Sequence, residues 1–172
     1  IFRMKSRPRQ LLLTVNNIPL LNPDIVTGVS LMALFVFLNM RLGYLTMLIA
    51  HITFCIPYVI LSILPKLRQL PKDIVDAALD LGATPTQAFY KVVLPEILPG
   101  VITGALIAFT LSIDDFVISF FTTGSGVNNL SIAIFSMARR GISPKINALS
   151  TIMFIVVMGL LLIINMREKK ED

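Results

Sequence analysis

Cysteine is almost absent. Cys55 stands alone among 172 residues, so neither an intramolecular disulfide nor a cysteine-built structural metal site is available, and the fold does not depend on the redox state of its compartment. No GxxxxGK[ST] phosphate loop occurs anywhere in the chain, which excludes nucleotide binding through that motif. Lysine and arginine are missing from the interior of every long apolar run, although the formal net charge is +5 and the pI is near 9.7. Basic residues that flank apolar runs, instead of clustering with aromatics on one polar element, do not make a nucleic-acid surface. Their distribution reads as membrane topology.

Apolar residues make up 55% of the chain, and the mean hydropathy is +0.82. A spanning helix needs roughly 20 apolar residues, and four runs approach or exceed that length: 11–38, 45–64, 101–121 and 146–166. The expected fold class is therefore all-α, a polytopic helical membrane protein with a single transmembrane domain over residues 1–172. Four spans put both ends on one side. That side carries Arg3, Lys5, Arg7, Arg9, Lys66, Arg68, Lys72, Lys91, Arg167, Lys169 and Lys170, against Arg41, Arg139, Arg140 and Lys145 opposite. The bias predicts that both termini and residues 65–99 are cytoplasmic. The opening IFRMKSRPRQ reads as a cytoplasmic loop, so upstream helices are expected. NNIPLLNPD offers no cleavage site of the kind a signal peptide needs.

NNIPLLNPD also interrupts the first run. Asn22 suits a helix cap, with Pro23 at the first helical position and Asp24 in the first turn. From Pro23 to Leu38 a helix covers only about 24 Å, so the preceding LLLTV is expected to help cross as part of a discontinuous helix. In the second run Pro57 leaves the Thr53 carbonyl without its helical donor, which predicts a kink.

The stretch DAALDLGATPTQAFYKVVLP predicts helix, turn, helix. The first helix runs from about Pro71 to Leu81 and stops at Gly82, which accepts a left-handed conformation cheaply. The second opens at Thr84 with Pro85 and Gln87 completing a capping box. Ala77 and Ala78 leave a narrow surface, and Phe89 offers one large anchor. The charges cancel, Lys66, Arg68, Lys72 and Lys91 against Asp73, Asp76, Asp80 and Glu96. By residue types alone this is a surface hairpin joining two spans. Its pattern resembles the EAA loop of ABC importer permeases at Asp76, Ala77, Ala78, Gly82, Ala83, Phe89, Leu94 and Pro95, with aspartate at position 76 where that family usually carries glutamate. The resemblance implies a coupling helix that docks on a separate cytoplasmic ATPase, which would bind ATP and magnesium. No cofactor is then expected in this chain.

LSIDDFVISFF places Asp114 and Asp115 inside an apolar run. Asp114 lies about 21 Å along a helix from Gly100, and two central aspartates cost roughly 5 to 7 kcal/mol on insertion scales. Intramembrane acids face a bundle interior or an aqueous cavity. On a continuous helix Asp115 shares a stripe with Gly104, Ala108, Ser112 and Ser119, and Asp114 with Thr103, Ile107 and Thr110. A stripe of small residues is also a common packing face, so either acid alone has a structural reading. With no lysine or arginine in any span, a cationic substrate is the economical counterion for the pair.

From Asn22 onward the chain resembles the permease subunits of spermidine/putrescine importers of the PotC type, through NPDIVTGVSL, LIAHITFCIPYVI, the EAA-like loop, FTLSIDDFVISFFTTG and GISPKINALSTI. That resemblance implies a partial type I ABC importer permease fold (MetI-like) in a bacterial cytoplasmic membrane, four of six usual helices being present. The implied partners are a second permease subunit, a cytoplasmic ATPase dimer, an extracytoplasmic polyamine-binding protein and membrane lipid, with no nucleic acid. Asp114 and Asp115 would contact protonated amines, and residues 122–145, with Arg139 and Arg140, would form a lip toward the binding protein.

Three other readings use the same residues. Importers of ferric iron, thiamine or an opine share the EAA-like loop, but an anion carrier needs basic residues along its path. An intramembrane aspartyl protease needs two acids from different helices, Asp24 and Asp115 here, yet SIDD lacks a glycine-rich setting and the hairpin goes unexplained. His51 and Cys55 share a helix face without a third or fourth ligand nearby, so they read as packing, as do the eight methionines.

Overall fold

The computed structural model describes residues 6–71, 73–141 and 144–168. The topological charges Arg3, Lys5, Lys72, Lys169 and Lys170 lie outside the described residues. Among the described residues every regular element is helical. They are α1 (Ser6–Leu21), α2 (Asp24–Phe37), α3 (Tyr44–Gln69), α4 (Ile74–Asp80), α5 (Pro85–Asp114), α6 (Val117–Thr122), α7 (Leu130–Arg140) and α8 (Pro144–Glu168).

Three helices, α3, α5 and α8, are long and apolar enough to cross a membrane. The first apolar run behaves differently from a mildly interrupted span. α1 and α2 meet at 107°, so the rise of one adds nothing to the reach of the other. α2 also begins one residue later than expected: Pro23 occupies the cap position, no side chain caps the helix, and Asn22 lies outside it. The Pro23 carbonyl accepts from the amides of Val26 at 2.9 Å and Thr27 at 3.2 Å, the bonds that open the first turn. α3 stays helical through Pro57 and Pro65.

α3 and α5 form the principal packed pair. Their seam runs along Gly100, Gly104 and Ala108, the small-residue face that lets two backbones approach closely. A Cβ on Gly100 would sit 2.9 Å from the backbone oxygen of Ser62, and one on Gly104 would sit 2.5 Å from the Ser62 hydroxyl. The Ser62 hydroxyl lies 2.8 Å from the Val59 carbonyl and 3.3 Å from that of Gly100. The Cys55 thiol donates to the Ala108 carbonyl at 3.6 Å. Cys55 also belongs to a buried apolar cluster with Phe35, Ala50, Phe54 and Ile118, which joins α2, α3 and α6.

At the other end of the pair the helical hairpin sits on a second cluster, Leu70, Val93 and Ile97, with Val75 of α4 packed against it. Residues Phe89–Val93 form a π turn within α5, in which the Leu94 amide reaches back to the Phe89 carbonyl. Pro95 follows directly; it has no amide hydrogen, and its ring would crowd the Lys91 carbonyl of a regular helix.

The seam generates a ranked expectation. Gly100→Ala drives a methyl against fixed backbone and should destabilise by about 1–3 kcal/mol, whereas the methyl of Gly104→Ala meets a rotatable hydroxyl, and the loss there should be smaller. Thermal unfolding of the two variants in detergent checks the order; equal midpoints would remove the seam's close contact as its cause.

Candidate functional site

The expected continuous helix through LSIDDFVISFF does not form. α5 ends at Asp114, Asp115 is extended (φ −65°, ψ 118°), and α6 starts at Val117. Asp115 therefore does not extend a stripe to Ser119 along one helix. It caps the next one: its carboxylate accepts from the Ile118 amide at 3.1 Å and the Ser119 amide at 2.8 Å. Two otherwise orphaned donors at the positive end of α6 are satisfied by one anion.

His51 of α3 completes the arrangement. Its Nε2 lies 3.5 Å from the Asp115 carboxylate and 3.2 Å from the Ser119 hydroxyl, while Nδ1 lies 2.8 Å from the Met47 carbonyl. A carbonyl only accepts, so Nδ1 carries a proton and donates to it. The Asn129 amide donates to the Ser119 hydroxyl at 2.6 Å, and the Asn129 oxygen accepts from the Ile132 amide at 2.9 Å. The Ser131 hydroxyl donates to the Asp115 carbonyl at 2.6 Å. Asp115, with a side chain 5% exposed, is thus enclosed by α3, α6 and α7.

This knot is not nucleophilic machinery. Asp115 and Ser119 approach the same imidazole nitrogen, whereas a serine triad needs them on opposite nitrogens, and Ser119 is fully buried. Both Asp115 oxygens are held by amides, so it does not form the proton-sharing dyad with Asp24 that an aspartyl protease requires. His51 and Cys55, alike on one helix face, have separate partners, the knot and the Ala108 carbonyl.

Asp114, one residue away, is exposed. It lies on the wall of a cavity of about 550 Å³ between the end of α5, α7 and α8. Phe116, Phe135, Met153 and Phe154 are among the apolar lining residues, Ser131 and Ser150 add hydroxyls, and none of the described lining residues is basic. Phe116 and Phe135 stack with centroids 4.0 Å apart and planes at 27°. A single carboxylate among aromatic and thioether groups suits an organic cation with an aliphatic body, through charge, cation–π attraction and burial of methylenes. Arg139 and Arg140 lie at the exposed end of α7.

The hairpin matches its expected local geometry closely. Gly82 has φ +86°, its amide donates to the Leu79 carbonyl at 2.9 Å, and the Ala83 amide donates to that of Ala78 at 3.1 Å. These are the two bonds of a Schellman stop. The Thr84 amide donates to Gln87 at 3.0 Å, and the Gln87 amide to the Thr84 hydroxyl at 3.3 Å. α4 starts at Ile74 rather than Pro71. The two alanines divide: Ala77 is exposed and Ala78 is buried, so Ala78 packs inward and presents no surface for docking. Asp76, Gly82, Phe89 and Pro95 are exposed, Ala83 and Leu94 partly so. Leu81, 89% exposed, and Tyr90, 62% exposed, extend the apolar face around Phe89; neither was singled out from the sequence.

His51, Ser119, Asn129 and Ser131 were also missed. The available signal was a lone histidine inside an apolar run, since a polar side chain at membrane depth needs a partner.

Residues 2–167 match the family described as binding-protein-dependent transport system inner membrane component. The chain is 47% identical over 140 residues to the putrescine transport system permease protein PotI of Escherichia coli strain K12, covering 78% of this chain and 50% of that protein. It is 37% identical over 172 residues to the spermidine/putrescine transport system permease protein PotC of Haemophilus influenzae, covering 100% and 67%. Against the PotC homolog of Mycoplasma genitalium the identity is 31% over 180 residues, covering 100% and 63%. The chain spans about half the length of the Escherichia coli protein.

The two acids should separate in a stability measurement. Asp115→Asn turns one amide acceptor into a donor facing a donor and should lower stability by about 1–3 kcal/mol, whereas Asp114→Asn should leave the unfolding midpoint nearly unchanged. Equal effects would remove the capping role from Asp115.

Proposed function

Since this chain belongs to the binding-protein-dependent transport system inner membrane component family, with the MetI-like type I ABC permease fold, we propose that it forms part of the membrane path of an ATP-driven importer for polyamines, putrescine or spermidine. The cavity at Asp114 carries this reading. A protonated amine finds one carboxylate there without a competing lysine or arginine, and its methylenes find apolar and aromatic walls. One acid gives a hold weak enough to release, which passage requires. The substrates named for the relatives, putrescine and spermidine, are the same chemistry.

The chain itself hydrolyses nothing on this reading. A cytoplasmic ATPase dimer binds ATP and magnesium and engages the hairpin through Leu81, Phe89 and Tyr90, which stand exposed on a stiffened turn. The Schellman stop and the capping box leave little slack between α4 and α5, so a displacement of the hairpin is passed to α5 instead of being absorbed. A second permease subunit closes the path, and an extracytoplasmic binding protein delivers the amine near residues 122–145. Both termini are then cytoplasmic, in a bacterial inner membrane.

Two measurements test this. In the assembled transporter, Asp114→Asn at matched membrane abundance should cut radiolabelled putrescine uptake about tenfold or more, the loss of one charge-assisted contact; unchanged uptake would take Asp114 off the path. Gly82→Pro removes the amide bonded to Leu79 and cannot adopt φ +86°. ATP hydrolysis should persist in that variant while uptake collapses, and fully coupled uptake would contradict the docking role.

A further inference from the structure

Asp114 and the opposing wall of the cavity belong to different helices, and few contacts decide how far apart they stand. α7 provides Ile134, Phe135 and Ala138 to the wall, yet it is a short helix with one amphipathic face, joined to α6 through residues 123–129. It is fastened to the end of α5 at its first turn. The Ser131 hydroxyl donates to the Asp115 carbonyl at 2.6 Å, and Asn129 bridges its own helix start and the Ser119 hydroxyl. The Asp115 carbonyl is the group released by the helix break, and in an apolar medium it needs a donor. Ser131 is buried and also lines the cavity.

We propose that Ser131, supported by Asn129, is a positioning residue for amine recognition: it holds α7 against the break after Asp114 and thereby sets the width of the cavity in which Asp114 meets the substrate. This rests on the polyamine reading of the cavity. Ser131 does not neutralise the amine, and its removal leaves the Asp114 carboxylate in place. What changes is the distance between that carboxylate and the walls that cover the methylenes, so substrate affinity falls while turnover of bound substrate holds.

The test uses the assembled, full-length transporter in proteoliposomes, with putrescine as the probe. Ser131→Ala should raise KM about tenfold and change kcat less than twofold, and Ser131→Thr, which keeps the hydroxyl, should restore KM. If Ser131→Ala fails to assemble, Ser131→Cys serves instead: a thiol is a weaker donor, so KM should be higher in the cysteine form than in the serine and threonine forms. An unchanged KM in Ser131→Ala, or equal KM values across the serine, threonine and cysteine forms, overturns the proposal. Asp114→Asn run in parallel separates the two readings. A KM shift in Asp114→Asn with none in the Ser131 variants overturns the clamp alone. A shift in the Ser131 variants with none in Asp114→Asn also overturns it, because Ser131 would then act on something other than the Asp114 cavity. No shift in either overturns the cavity reading as well.

Discussion

A helix broken within an apolar stretch leaves amides and carbonyls that water cannot reach, each costing several kcal/mol if unpaired. The break after Asp114 is tolerated because the Asp115 carboxylate takes two of the amides that α6 exposes. Burying that charge is itself costly, and the same two amides offset part of the cost. The carbonyl of the same residue goes to Ser131. One residue thus supplies both the break and part of its repair, and α3, α6 and α7 are drawn together around it. Near it, Thr46 of α3, fully buried, donates to the Thr122 carbonyl at 2.8 Å and ties the far end of α6 to the same helix.

α5 joins this knot to the hairpin. Its 30 residues span about 45 Å, and the glycine seam binds it to α3 along the middle of that length. α3 reaches both ends, His51 at the knot and Leu70 just beyond its C-terminus at the hairpin cluster. Two close-packed antiparallel helices shift as a unit more readily than they bend. The π turn at Phe89–Val93 lies outside the seam and begins with the exposed aromatic pair Phe89 and Tyr90, whose rings meet edge to face at 5.2 Å. The irregular turn therefore falls where a partner would grip, and the regular helix falls where motion would be carried.

What could be read from residues alone divides by the range of the interactions. Gly82, Thr84 and Gln87 determine their turn through bonds spanning five residues or fewer, and the hairpin was legible almost bond by bond. The long apolar runs identified α3, α5 and α8 for the same reason. The knot was not legible. SIDDFV contains neither proline nor glycine, so nothing local announces a break, and a continuous helix put Asp115 on a stripe with Ser119. His51 is 68 residues from Ser119, and both Ser119 and Asp115 lie outside its own helix. The bend of 107° between α1 and α2 was likewise invisible in magnitude, because Asn-Pro predicts an interruption without setting its angle. Asn22 missed the cap by one position, which Pro23 occupies.

The pair of acids first suggested one shared role, and their adjacency is what separates them. Neighbouring side chains on a helix point about 100° apart, and the break turns the second further from the first. Asp115 points into the protein, where two backbone amides hold its carboxylate; an acid engaged in this way is poorly placed to bind a passing cation. Asp114 points into a cavity whose described lining residues include no basic one. An acid left unanswered beside an apolar wall is expensive unless water or a mobile cation visits it. On the polyamine reading proposed above, the structural acid would hold the geometry in which its neighbour stays available, and an amine would be drawn in without being fixed in place.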